Sequence, residues 1–101
     1  RGCEVDTGDG AGMLCAMPDS FMRRKFEELG VEFPPQKSYA IGNIFLPRIE
    51  VRRAEGKKIF ESICASISGL RFLAWRAVPV CSDFLGKTAR SFEPAIEQCL
   101  V

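Results

Sequence analysis

The stretch from Tyr39 to Leu46 constrains this chain most. Tyr39, Ile41, Asn43 and Phe45 point one way, while Ala40, Gly42, Ile44 and Leu46 point the other. Successive side chains of a strand alternate between faces. Both sets are largely apolar, so this strand is expected to be covered on both sides, as in the middle of a layered fold. Pro47 stops it. Leu70 to Val80 reads as a second long strand and Ala95 to Val101, after Glu93-Pro94, as a last one. Met13 to Met17 is a short apolar run ended by Pro18 and is expected to be a buried strand.

Two helices fit between these strands. Pro18-Asp19-Ser20 opens the first, with Asp19 or Ser20 expected to cap its free amides. Met22, Phe26 and Leu29 make its apolar stripe, and Gly30 is placed to end it in a left-handed conformation. Pro34-Pro35 keeps the next stretch extended. Residues 49–68 read as the longest helix. Phe60, Ile63, Cys64 and Ile67 are expected inside, with Arg52, Arg53, Lys57, Lys58 and Glu61 mostly outside. Gly56 weakens its middle by about 1 kcal/mol relative to Ala, and Gly69 ends it. The order is loop, strand, helix, strand, helix, strand, polar loop, strand. Two helices are few for strands apolar on both faces, so a missing covering layer is expected elsewhere in a longer polypeptide.

Length and charge narrow the function. A chain of 101 residues has room for one domain at most, and a domain this size buries only roughly 60–65% of its unfolded surface. Fourteen basic and 13 acidic residues leave a net charge of +1, without the basic excess that nucleic-acid binders carry. No stretch approaches the roughly 20 apolar residues of a membrane span, and no signal peptide is expected. The chain starts at Arg1, not Met, and stops at Val101 after an apolar run, so both ends are expected to be cut from something longer. Five cysteines, at 3, 15, 64, 81 and 99, are odd in number and widely spaced. They read as reduced thiols of an intracellular protein rather than a disulfide framework. With no His and no Cys-x-x-Cys, a zinc site is not expected.

The local motifs fail one by one. Gly8-Asp9-Gly10-Ala11-Gly12 lacks the glycine spacing and the strand-to-helix setting of a dinucleotide loop. A calcium loop counted from Asp6 would need an acidic twelfth residue, and Met17 stands there. Gly86-Lys87-Thr88 is half of a P-loop, but Cys81 occupies the place of its first glycine, so a turn is expected. Without His there is no imidazole base. Cys3 is not residue 1 and cannot use its own α-amine as base, so it is read as structural. Trp75 and Arg76 are strand neighbours, expected on opposite faces in separate packing and salt-bridge roles.

Five phrases in register carry a resemblance. Glu4-x-x-Thr7-Gly8-Asp9-Gly10-Ala11-Gly12 resembles the glycine-rich signature of glutamate synthase amidotransferase domains. Tyr39-Ala40-Ile41-Gly42, followed by Phe45-Leu46-Pro47, is similar to the next strand of that family. Leu73-Ala74-Trp75-Arg76-x-Val78-Pro79 resembles its Leu-Gly-Trp-Arg-x-Val-Pro phrase, with Ala74 replacing Gly. Leu85-Gly86-x-x-Ala89 and Glu93-Pro94-x-Ile96-Glu97-Gln98 complete the series.

The resemblance implies an α+β fold: part of the four-layer αββα sandwich of N-terminal nucleophile hydrolases, with antiparallel sheets. It implies that residues 1–101 are a partial type-2 glutamine amidotransferase domain, truncated at both ends. The nucleophilic Cys would lie upstream, and Arg1 stands too close to Thr7 to match the family's His-Arg-Gly phrase. The Arg-Phe-Ser-Thr and Asn-Gly phrases that hold glutamine do not occur, so this piece alone is expected to be inactive. Thr7, Gly8, Asp9, Gly10 and Gly12 are the expected pocket-shaping loop. No metal or cofactor is expected within the chain. For the parent enzyme the resemblance implies FMN and an iron–sulfur cluster, L-glutamine as substrate, and ferredoxin or NAD(P)H as electron donor, in plastid or cytoplasm. The alternatives are a non-catalytic relic or interaction module with the same partial fold, and a small nucleotide-binding module.

Overall fold

The computed structural model describes residues 12–101. Three strands build the sheet: β1 (Ile41–Leu46), β2 (Ala74–Ala77) and β3 (Ala95–Leu100). Their order is β1-β3-β2, so the last strand enters between the first two. β3 runs antiparallel to both neighbours, with Ile41 and Ala74 each opposite Leu100. Ala40 and Val101 exchange two further backbone bonds of 2.9 and 3.0 Å, and the Leu73 amide donates to the Leu100 carbonyl. The expected strand over 70–80 is therefore in the ladder only near its middle.

Helix α1 (Asp19–Glu27) covers one face. Phe26 packs with Phe33, Ala74 and Leu100, flanked by Met22, Val31, Tyr39, Ile41 and Leu73. The expected ending holds. Gly30 sits at φ +79°, its amide reaches the Glu27 carbonyl, and the Val31 amide reaches back to Phe26. This is the Schellman arrangement, which satisfies carbonyls otherwise left open at a helix end. Leu29 falls beyond the helix and is exposed, so the apolar stripe is Met22 and Phe26 alone. The expected cap does not form. Pro18 holds the cap position, and the Asp19 carboxylate is taken by Arg23 and Tyr39 instead.

Helix α2 (Glu50–Ser66) covers the other face, turned from the expected orientation. Arg53, Gly56, Lys57, Phe60, Glu61 and Cys64 face the sheet, while Ile63 and Ile67 stay exposed. The cause is Glu97, which lies on that face of β3 and accepts from Lys57 Nζ at 2.8 Å, with Arg53 Nε at 4.0 Å. A carboxylate this far from water needs cations beside it. Phe60 meets the rings of Phe72 and Trp75.

Two further expectations change. Residues 13–17 are not a strand, and Met13, Leu14 and Met17 are exposed. A strand needs a neighbour for its amides and carbonyls, and none of the described strands pairs with this run. The polar passage after Val80 holds a 3₁₀ turn (Ser82–Phe84) and a short helix α3 (Lys87–Ser91) capped at Gly86. Gly86 thus starts a helix rather than a simple turn. Ser82 and Glu93 hydrogen-bond side chain to side chain, and Arg90 donates to the Ser82 carbonyl at 2.8 Å, pinning the passage.

Candidate functional site

Thr7, Gly8, Asp9 and Gly10 lie outside the described residues, so the expected pocket-shaping loop is represented by Gly12 alone. Gly12 is exposed, with open space where a side chain would project. The chain then runs over the α1 side of the sheet. Cys15, Ala16, Met17 and Pro18 close a cleft of ≈ 390 Å³ against Met22, Ile41, Asn43 and Gln98.

A polar row crosses the sheet here, and two of its three members, Asn43 and Gln98, line this cleft. Asn43, Gln98 and Arg76 are opposite one another on β1, β3 and β2 and share a face. Gln98 is only 9% exposed, and its amide oxygen accepts from Arg76 Nη1 at 2.7 Å. A buried amide without such a partner would cost about 1–3 kcal/mol. Arg76 also lies 5.9 Å from the Phe21 ring centre. Trp75 points to the other face, where its indole N–H donates to Glu61 at 3.0 Å and Lys57 sits over its ring. The expected division between Trp75 and Arg76 holds, but Arg76 partners an amide rather than a carboxylate. The row went unread in the sequence. Its signal was one amide in each of two strands, Asn43 in otherwise apolar β1 and Gln98 beside Glu97 in β3.

Beside the cleft, Tyr39 Oη donates to Asp19 Oδ1 at 2.6 Å. Arg23 approaches the same carboxylate at 3.3 Å and lies 4.8 Å over the Phe33 ring. Burial pushes the Tyr39 phenol above its ordinary value, the Asp19 hydrogen bond and charge add to this, and Arg23 opposes it. This clip ties α1 to the chain entering β1.

Cys15 offers an exposed thiol, but the chain has no His to act as base. Cys99, in β3, turns its side chain to the α2 side, where the thiol donates a long hydrogen bond of 3.5 Å to the Gly42 carbonyl, and burial pushes the thiol up. Among the described residues no three His, Cys, Asp or Glu side chains gather to hold a metal ion.

A family model for class-II glutamine amidotransferases matches residues 1–101. The chain belongs to the class-II glutamine amidotransferases. It is 41% identical over 99% of its length to a glutamate synthase [NADH] of Schizosaccharomyces pombe, and 42% identical over 93% to the enzyme of that name in Saccharomyces cerevisiae. A glutamate synthase [NADPH] large chain of Bacillus subtilis is 35% identical over 100% of it. The chain spans only 5% of the length of each of the two yeast relatives and 6% of the Bacillus one. Within this amidotransferase family, the described piece is an α+β unit with a three-stranded antiparallel sheet. No helix among the described residues is long and apolar enough to cross a membrane.

Proposed function

We propose that the chain is an internal piece of the glutaminase domain of a glutamate synthase. That domain hydrolyses L-glutamine to glutamate and ammonia, and the ammonia serves the reductive amination of 2-oxoglutarate. The observation that carries this reading is the match to glutamate synthases along essentially the whole chain at up to 42% identity. The described residues supply a scaffold and one side of a cleft, without a nucleophile and base in hydrogen-bond reach. The nucleophile in this reading is a Cys at the mature N-terminus, upstream of Arg1, whose own α-amine takes the thiol proton. The piece by itself is inactive, a partial domain continued on both sides.

The four-layer αββα sandwich is part of the same proposal. One face of the sheet is only half covered by α1, and Phe45 on it remains 67% exposed. Met13, Leu14 and Met17 are exposed as well. Apolar surface of this extent is what a second sheet would bury. Among the described residues nothing fits the parent's iron–sulfur cluster: the thiols of Cys15 and Cys81 are exposed, those of Cys64 and Cys99 buried, and no three of them gather. The cluster, the FMN and the ferredoxin or NAD(P)H site belong to other parts of the polypeptide, in plastid or cytoplasm. The remaining domains of the parent are then this piece's immediate partners.

The test is a glutaminase assay on the longer polypeptide. Ammonia release that is abolished by alkylating an N-terminal Cys supports the reading, and a message that ends near Arg1 and Val101 leaves a relic or interaction module. In this reading the Thr7–Gly12 loop, of which only Gly12 is among the described residues, shapes the pocket floor, because glycines permit close backbone approach and an Asp carboxylate can accept amide hydrogen bonds. Asp9→Ala should lower glutaminase activity or folding yield, and normal values for both would remove that role.

A further inference from the structure

The outer side of α2 changes character along its length. One flank carries Arg52 and Glu55 in the first turns, then Ile59, Ser62, Ile63 and Ser66 with no charge at all. Ile59 is 62% exposed, Ile63 54%, and Ile67 just beyond the helix 49%. The inner side of the same turns packs Phe60 against Trp75 and buries Cys64. A helix with apolar side chains on both its inner and outer sides is one that expects cover on both. Ile59, Ile63 and Ile67 form a ridge at i, i+4 spacing. Ser62 and Ser66 are short and leave a shallow groove beside it. The Ser66 hydroxyl already donates to the Ile63 carbonyl at 2.7 Å, so covering it strands no donor. A ridge next to a groove is what a second helix needs in order to pack.

We propose that the last two turns of α2 are a docking face for an apolar helix from another part of the same, longer polypeptide. This rests on the reading of the chain as one piece of a much larger enzyme. Two observations choose this occupant over a second copy. Relatives match the chain with only 5% or 6% of their length, so most of such a polypeptide lies outside these residues. The patch is also small. Three partly exposed isoleucines present on the order of a few hundred Å², against roughly 800 Å² from each partner in a stable complex of separate chains. A tethered partner needs far less contact, because the linkage supplies a high effective concentration.

The experiment is thiol labelling of the full-length polypeptide carrying Ile63→Cys or, on the opposite flank of α2, Lys58→Cys. Fragment-ion mass spectrometry of the α2 peptide assigns each label to the introduced position or to the buried native Cys64 beside it. The Ile63→Cys thiol should react with a maleimide roughly tenfold or more slowly than the Lys58→Cys thiol, at every protein concentration. Equal rates would overturn the proposal, and so would protection that disappears on dilution, which would assign the face to a second copy. Ile59→Cys provides an independent position should Ile63→Cys fold poorly. Ammonia release from glutamine is measured in parallel. Its absence with the Ile63→Cys thiol still protected counts against the functional reading and leaves the contact standing.

Discussion

The two faces of one three-stranded sheet are held by different physics. Toward α1 the contact around Phe26 is dry, although the polar Asn43–Gln98–Arg76 row lies on the same face. Phe26 and Leu100 are fully buried, and Phe33 lies between Phe26 and Tyr39 with ring centres 5.9 and 4.6 Å away. Toward α2 the contact is polar at its centre. Glu97 holds Lys57 and Arg53, Glu61 accepts from Trp75, and only Cys64 of the helix is fully inside. Hydrophobic burial is non-directional and fixes how strongly a layer adheres. A charge network fixes where the layer sits, because misplacing it strands a charge. α1 supplies adhesion, and α2 supplies register.

The sharpest way to break this comparison is to empty the dry side. Phe26→Ala should cost about 3–5 kcal/mol, the usual range for a buried aromatic reduced to alanine. Amide exchange in the longer polypeptide reads this as local opening. The α1 amides should lose most protection, with the α2 amides losing less. Equal losses on both helices would show that the faces open as one unit and that the distinction has no energetic content.

The polar side should respond less, and to a different variable. Glu97→Gln leaves Lys57 and Arg53 without a counter-charge. Both cations are partly exposed and can turn toward water, which limits the loss to about 1–2 kcal/mol. The α2 amides should carry that loss. Added salt should weaken α2 protection in the wild type and have little further effect in the variant. A variant whose salt response matches the wild type would remove Glu97 as the register-setting group.

Why the sequence revealed one side better than the other follows from the same contrast. The Met22–Phe26 stripe and Gly30 mark α1 because hydrophobic spacing and a left-handed cap are local signals. The position of β1 was legible for a similar reason, since its alternating residues are apolar on both faces. The facing of α2 was legible only in part: Phe60 and Cys64 lie inside as expected, but Arg53, Lys57 and Glu61 also face the sheet and Ile63 and Ile67 do not. Its inward side is chosen by Glu97, some 40 residues away in the chain, and periodicity within the helix favoured Ile63 and Ile67. The strand expected at 13–17 failed because pairing depends on a partner that hydrophobicity does not name. The glycine loop is a motif in the sequence, but apart from Gly12 it lies outside the described residues. The Asn43–Gln98–Arg76 row was not legible, because β3 had first to be placed between β1 and β2.

A pH titration sharpens the α1 side. The Tyr39 phenol is held above its ordinary value of 10.0, chiefly by burial and then by Asp19. A raised value favours the protonated phenol in the folded state. Its contribution is therefore fully present below pH 10.0 and lost as pH climbs through the folded value. Tyr39→Phe should cost about 1 kcal/mol for the lost bond to Asp19, reduced because the site is partly exposed. A tyrosinate difference spectrum between wild type and variant isolates this one phenol. It should show ionisation only above the ordinary value. A midpoint at or below 10.0 would mean that the clip is open in solution.

The smallest effect belongs to Gly56, and its sign decides how firmly α2 is seated. In an exposed helix interior, Gly→Ala gains about 1 kcal/mol. Here the new methyl would stand 3.2 Å from Leu46 Cδ2, closer than carbon atoms normally approach. Leu46 is buried against that side, so part of the gain is spent displacing the end of its side chain by a few tenths of an ångström. The two terms nearly cancel, and Gly56→Ala should change α2 opening by less than about 0.5 kcal/mol, on the stabilising side. A full gain would show that α2 floats on its ion pairs and can shift outward without penalty. A loss of about 1 kcal/mol or more would show Leu46 locked in place and the helix held to the sheet as rigidly as α1. In that case register and adhesion would no longer divide between the two faces.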